Sequence, residues 1–164
     1  MEDIIQIQRT IVDEHIRHEN SHDWQGVYDT FIPDETAFYD VVPFNTRFAG
    51  FEGVKGFYGA ASVAFPDLKI DVWGEYDCPG CSVREVTISG THTGDWAGVP
   101  GTGKHVRFQL AGFFLFGTGL QAGKLLAERI YFDNDTVLRQ MRGEMDASAV
   151  ADFPLPEMTE AQSK

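Results

Sequence analysis

Three acid–base side chains stand out by their neighbours. Glu128 lies in the run Leu126-Ala127-Glu128-Arg129-Ile130-Tyr131-Phe132-Asp133. Read with a period of two, Leu126, Glu128, Ile130 and Phe132 share one face, and Arg129, Tyr131 and Asp133 take the other. A carboxylate among apolar neighbours holds a proton more firmly than one in water, which suits general acid–base work. The plainer alternative is a salt bridge to Arg84 or Arg129. His92 ends a strand-like run in Ser89-Gly90-Thr91-His92-Thr93-Gly94. An imidazole there can act as acid, base or substrate anchor, or simply bond to backbone. Asp133 closes the last strand, where it is either catalytic or the cap of the next element.

Other chemical patterns read as decoys. Gly98-Val99-Pro100-Gly101-Thr102-Gly103-Lys104 fits the spacing of a phosphate loop. A phosphate loop needs Ser or Thr next and then a helix, whereas His105 and a strand come next here. Cys78-Pro79-Gly80-Cys81 has redox or half-zinc spacing, yet it lies between two strand-like runs and reads as a turn. His15, His18 and His22 cluster near Glu14 and Glu19 without the H-E-x-x-H pattern, so a solvated helix face is expected and no metal site. Asn134-Asp135-Thr136 matters as a glycosylation sequon only in a secreted chain.

These residues need elements to position them. Ile4, Ile5, Ile7, Ile11, Val12 and Ile16 recur at helical spacing over residues 4–19. Asp23 caps a second helix to about Phe31, with Trp24, Val27 and Tyr28 on its apolar face. A short strand is expected over 36–40. A third helix over 51–64 carries Phe51, Val54, Phe57, Tyr58 and Ala61, and its glycines 53, 56 and 59 permit close approach. The period then changes to two, predicting strands over 68–72, 83–89, 105–116 and 124–132, joined at turn residues. Asp135 is expected to cap a short closing helix through Met141. Helices first and a meander after give an α+β fold. We expect one domain over 1–143 and a loosely ordered tail over 144–164.

Composition narrows the partners. The 164 residues carry a net charge of -12, which repels nucleic acid and anionic membranes. No stretch approaches the roughly 20 apolar residues of a membrane span, and the acidic start lacks a signal peptide's apolar core. A cytoplasmic protein is expected. The 13 Phe, 5 Tyr and 3 Trp suffice for a core and an apolar cavity.

The joint order of Gly90-Thr91-His92-Thr93-Gly94, Pro100-Gly101-Thr102-Gly103-Lys104, a phenylalanine-rich strand, Gly123-Lys124, Glu128-Arg129, Phe132-Asp133 and Leu138-Arg139-Gln140 resembles SnoaL-like polyketide cyclases. Gly50-Phe51-Glu52-Gly53-Val54 and the helical opening fit as well, so the resemblance spans about residues 4–142. It implies the fold of the nuclear transport factor 2 superfamily: a conical α+β barrel, a curved antiparallel sheet on three N-terminal helices, enclosing an apolar pocket. It implies a homodimer or homotetramer packed through the sheet. Family cyclases close a polyketide ring by intramolecular aldol chemistry without metal or cofactor. Related members hydrolyse epoxides, isomerise steroids or bind ligands. In the same ungapped register the acid of the anthracycline cyclases falls on Ile130, and two nearby polar positions read Leu110 and Gly112.

The expectation is therefore a cofactor-independent acid–base enzyme, cyclase or isomerase in type. Its ligand would be an apolar oxygenated small molecule such as a polyketide-like compound. The alternatives are a non-catalytic binding or accessory protein, an epoxide-hydrolase-like hydrolase, and an interaction module. Glu128, His92 and Asp133 are the candidate catalytic residues. Trp24 and Tyr28 from the second helix, Tyr39, and Phe57 and Tyr58 from the third are expected in the pocket wall. So are Phe108, Leu110 and Phe114 from the long strand and Ile130 and Phe132 from the last.

Overall fold

Asp3 accepts a hydrogen bond from the Ile5 amide at 3.1 Å and so starts helix α1 (Ile4–Asn20). The computed structural model describes residues 3–155. The buried stripe of α1 is Gln8, Val12, His15, Ile16 and Glu19, spaced four, three, one and three apart. Two ionisable residues thus share a stripe with Val12 and Ile16. Asp23 accepts from the Gly26 amide and opens α2 (Trp24–Asp29). Helix α3 (Gly50–Ala64) buries Val54, Phe57, Tyr58, Ala61 and Ala64. Of its glycines, Gly53 serves close approach: a Cβ there would stand 2.7 Å from the Phe48 backbone.

Six strands take the order β2-β1-β6-β5-β4-β3. They are β1 (Phe38–Val41), β2 (Thr46–Ala49), β3 (Lys69–Cys78), β4 (Cys81–Thr91), β5 (His105–Phe116) and β6 (Leu125–Phe132). The fold is α+β, with a curved sheet against three N-terminal helices. The sheet is mixed, because β1 runs parallel to β6 where the sequence predicts only antiparallel neighbours, and unclosed, because β2 and β3 at its ends do not pair with each other. β1 enters after α2 in the same direction as the returning last strand. β2 carries no sequence signal, because its four residues are short and mostly exposed. Asp40 on β1 pairs with Arg47 at 2.7 Å and with Arg129 at 2.9 Å, tying β2 and β6 to β1.

Period-two patterning decides what the sheet presents to the helices. Arg84, Val86 and Ile88 of β4 face inward, as do Phe108, Leu110, Gly112 and Phe114 of β5 and Glu128, Ile130 and Phe132 of β6. Cys78 and Cys81 are paired residues flanking the β3–β4 turn, where Gly80 has φ 84°. The glycine-rich segment 98–104 lies in the loop joining β4 to β5. Helix α4 (Asn134–Met141) is capped by Asp133, and its Gln140 bonds both the amide and the carbonyl of Arg107. Beyond it, residues up to 155 run along the outer side of β5. There the Arg107 guanidinium and the Gln109 amide reach the Val150 and Ala151 carbonyls at 2.8 and 2.9 Å. The remainder of the expected tail, 156–164, lies outside the described residues.

Candidate functional site

The concave face of the sheet and helices α1 to α3 enclose a cavity. Nine of the ten expected wall residues line it: Trp24, Tyr39, Phe57, Tyr58, Phe108, Leu110, Phe114, Ile130 and Phe132. Tyr28 lies outside this lining and packs against Phe51 and Tyr58. Tyr39 stacks on Phe57 with ring centroids 3.8 Å apart, which makes one wall flat. The polar exceptions in this apolar surface are Glu19, Arg84, Glu128 and the heads of the aromatic residues.

Glu128 sits in a network that no local sequence pattern announces. Its Oε2 accepts from the Tyr58 hydroxyl at 2.6 Å and lies 3.4 Å from His15 Nε2. The same Nε2 is 3.0 Å from the Tyr58 hydroxyl and 3.6 Å from Glu19 Oε2. The expectation that His15 shares a solvated face with His18 and His22 is therefore corrected. His15 is 0% exposed, edged by the rings of Phe31, Tyr58 and Phe114. The signal was present in the sequence, since His15 and Glu19 fall on the stripe of Val12 and Ile16. His18 does pair outward with Asp23 at 2.9 Å, and His22 reaches the Leu68 carbonyl.

The bonds assign the protons. The Thr30 hydroxyl donates its one proton to the Val27 carbonyl at 2.6 Å. His15 Nδ1, 2.8 Å from Thr30 Oγ1, must then be the donor of that pair. Tyr58 donates to Glu128, so His15 Nε2 can donate to Tyr58 only as an imidazolium. The charges agree. Burial works against the cation, but Glu19 and Glu128 outweigh it and push the His15 pKa up to about 10. Burial raises the Glu19 carboxyl above its ordinary range, with His15 opposing. Burial and the two glutamates raise the phenols of Tyr39 and Tyr58 well above theirs, so both stay protonated.

The ligand atoms of His15, Glu19 and Glu128 lie within 4.8 Å of one another, close enough to hold a cation. The Tyr58 hydroxyl already bridges His15 Nε2 and Glu128 Oε2. The set thus reads as a closed proton network. Glu128 Oε1, by contrast, accepts no hydrogen bond among the described residues. It lies 3.7 Å from where a Cβ on Gly112 would stand. The missing side chain at Gly112 leaves that oxygen open to the cavity floor.

The other two candidates are not brought to Glu128. His92 is fully buried outside the cavity lining. Its Nδ1 is 3.0 Å from Thr102 Oγ1, and its backbone bonds to Thr102, Gly103 and Lys104, tying down the β4–β5 loop. Asp133 accepts from the Asp135 amide and the Thr136 hydroxyl as the cap of α4. No helix among the described residues is long and apolar enough to cross a membrane.

The profile of the SnoaL-like polyketide cyclase family matches residues 8–141. A proposed SnoaL-like polyketide cyclase of Jannaschia sp. CCS1 superposes with a TM-score of 0.75 at 19% identity, over 86% of this chain and 95% of that one. AclR of Streptomyces galilaeus, a proposed hydroxylase, gives 0.68 at 21% identity, over 85% and 98%. IdmH of Streptomyces antibioticus, a proposed polyketide cyclase, gives 0.65 at 20%, over 82% and 98%. At these identities the likeness is one of fold. No curated protein matches the chain in sequence.

Proposed function

The chain belongs to the SnoaL-like polyketide cyclase family, and we propose that it is a cofactor-independent acid–base enzyme, cyclase or isomerase in type, for an apolar oxygenated small molecule. One observation carries this reading. Glu128 has one oxygen fixed by Tyr58 and its other oxygen open to an apolar cavity. A carboxylate held that way is oriented for proton transfer.

In this mechanism Glu128 Oε1 takes a proton from a carbon next to a substrate carbonyl, leaving an enolate. In a cyclase the enolate carbon attacks a second carbonyl of the same molecule, forming the new bond and an alkoxide. The alkoxide then takes that proton back from Glu128 Oε1, the carboxylate is restored, and no atom is gained or lost. In an isomerase Glu128 returns its proton to a different carbon. One carboxyl thus serves first as base and then as acid. Ile130 at the position of the anthracycline cyclases' acid moves this role one inward position along β6, to Glu128.

The probe is 2-tetralone, a neutral bicyclic ketone, monitored by NMR for exchange of its α-hydrogens with deuterated water. Glu128→Gln should slow enzyme-dependent exchange about 10²–10⁴-fold with the fold intact. Exchange as fast as in the wild type would remove Glu128 from the mechanism.

The outer side of the sheet exposes Tyr76 and Tyr131, which supports pairing between two copies of the chain. The functional unit we propose is a homodimer, or a homotetramer, through this face.

A further inference from the structure

Two buried hydrogen-bond donors on residues that line the cavity have no partner among the described residues: Arg84 Nε and Trp96 Nε1. Arg84 is 0% exposed and Trp96 8%. The other orphaned side-chain atoms among the described residues, His92 Nε2 and Asn134 Oδ1, belong to residues outside the lining. Burying an N–H without an acceptor is unfavourable, and folded proteins seldom leave one so without a role for it.

The other two nitrogens of the Arg84 guanidinium each have partners. Nη1 donates to Asp77 at 2.9 Å, Ser82 at 2.5 Å and the Val83 carbonyl at 3.2 Å, and Nη2 faces Asp13 at 3.4 Å. These bonds hold the group, and Nε is its one nitrogen without a partner among the described residues. Arg84 pairs with Gly112 across β4 and β5, and Gly112 pairs with Ile130 across β5 and β6. Gly112 is thus the neighbour of Arg84 on one side, and on the other the place of its missing Cβ is 3.7 Å from the open oxygen of Glu128, with Phe114 3.5 Å away. Trp96 sits farther along, in the β4–β5 loop, packed among Phe44, Phe65 and Phe132.

Charge selects the kind of acceptor. Arg84 is matched by Asp77 and Asp13, and His15 by Glu19 and Glu128. Four carboxyl groups face two cations, so an anionic ligand would find no free positive charge.

We infer that Arg84 Nε–H anchors the carbonyl oxygen of a neutral substrate, setting the adjacent carbon over Gly112 against Glu128. Trp96 Nε1–H anchors a second oxygen farther along the cavity. The inference rests on the acid–base reading above and adds the residues that fix substrate pose and charge.

Isothermal titration calorimetry of the full chain tests it with four probes: 2-tetralone, 6-methoxy-2-tetralone, tetralin and 2-naphthoate. 2-Tetralone should bind tetralin's site at least about tenfold more tightly than tetralin does, since the donor is charged. The methoxy oxygen should add about two- to tenfold, and 2-naphthoate should bind worse than 2-tetralone. Arg84→Lys keeps the charge beside Asp77 and removes the Nε–H fork, so it should abolish the preference for ketone over tetralin. Trp96→Phe should abolish only the methoxy advantage. Equal binding of 2-tetralone and tetralin by the wild type, or tightest binding of 2-naphthoate, would overturn the assignment. Should Arg84→Lys unfold, the wild-type series and Trp96→Phe decide. The two readings fail separately. Equal binding with Glu128-dependent exchange removes the anchors alone. Selective binding with exchange unaffected by Glu128→Gln removes the acid–base mechanism alone.

Discussion

His15 holds two buried carboxylates in one place, and its removal should cost the fold before it costs anything else. His15→Phe leaves Glu19 and Glu128 buried without their cation. Losing one partner of a buried charge pair costs about 3–5 kcal/mol. Urea unfolding of His15→Phe should therefore show a loss of that order. Gly112 tests the opposite property, access without stability. A methyl there would stand 3.5 Å from Phe114, and 3.7 Å from both Glu128 Oε1 and Leu110, which is ordinary contact. Gly112→Ala should leave the urea midpoint nearly unchanged and still weaken 2-tetralone binding and exchange, because the methyl occupies the floor beside the open oxygen. Exchange at the wild-type rate would show that substrate does not pass over Gly112.

At the scale of elements, Asp133 joins the last strand to the last helix. Its carboxylate accepts from the Asp135 amide and the Thr136 hydroxyl. Asp133→Ala should lower unfolding free energy by about 1 kcal/mol, the usual worth of such a cap. As a cap alone it should leave 2-tetralone exchange intact, and a fall approaching that of Glu128→Gln would return Asp133 to the chemistry. α1 does more than pack. It delivers His15 and Glu19 to the floor that β6 builds from Glu128, and its Gln8 bonds the Gly80 amide and the Ala122 carbonyl at the far turns. One helix face thus serves both core and site.

For the whole molecule, His15 couples stability to pH. Folded, it keeps its proton to about pH 10, whereas an ordinary histidine releases it near 6.5. Between these values the folded chain binds more protons than the unfolded chain, so stability falls as pH rises. The contribution of His15 is complete below about 6.5 and gone above about 10. The raised Glu19 carboxyl acts in the same direction, its share being lost as pH rises through its folded value. The urea midpoint should be higher at pH 6 than at pH 9.5, and His15→Phe should flatten that difference. The proposed dimer is checked by light scattering after gel filtration, where twice the chain mass is expected.

What the sequence by itself determined was whatever repeats with a local period. The alternation in β5 and β6 placed Phe108, Leu110, Phe114, Glu128, Ile130 and Phe132 on one face, and the helical spacing placed Trp24, Phe57 and Tyr58 toward it. Turn chemistry disposed of the Cys78–Cys81 and Gly98–Lys104 patterns. β2 was lost because four residues, three of them exposed, carry no period. The tertiary structure alone decided which polar groups meet. His15 lies 113 residues before Glu128 and Tyr58 lies 70 before it, and no local pattern encodes contacts over such distances. His92 and Asp133 carried suitable chemistry, but packing turned one to its loop and the other to a helix end. The apolar faces were legible because hydrophobic burial tracks periodicity, and the cavity they line was what the family resemblance implied. The proton network within it was not, because a hydrogen bond depends on where two distant chain segments cross.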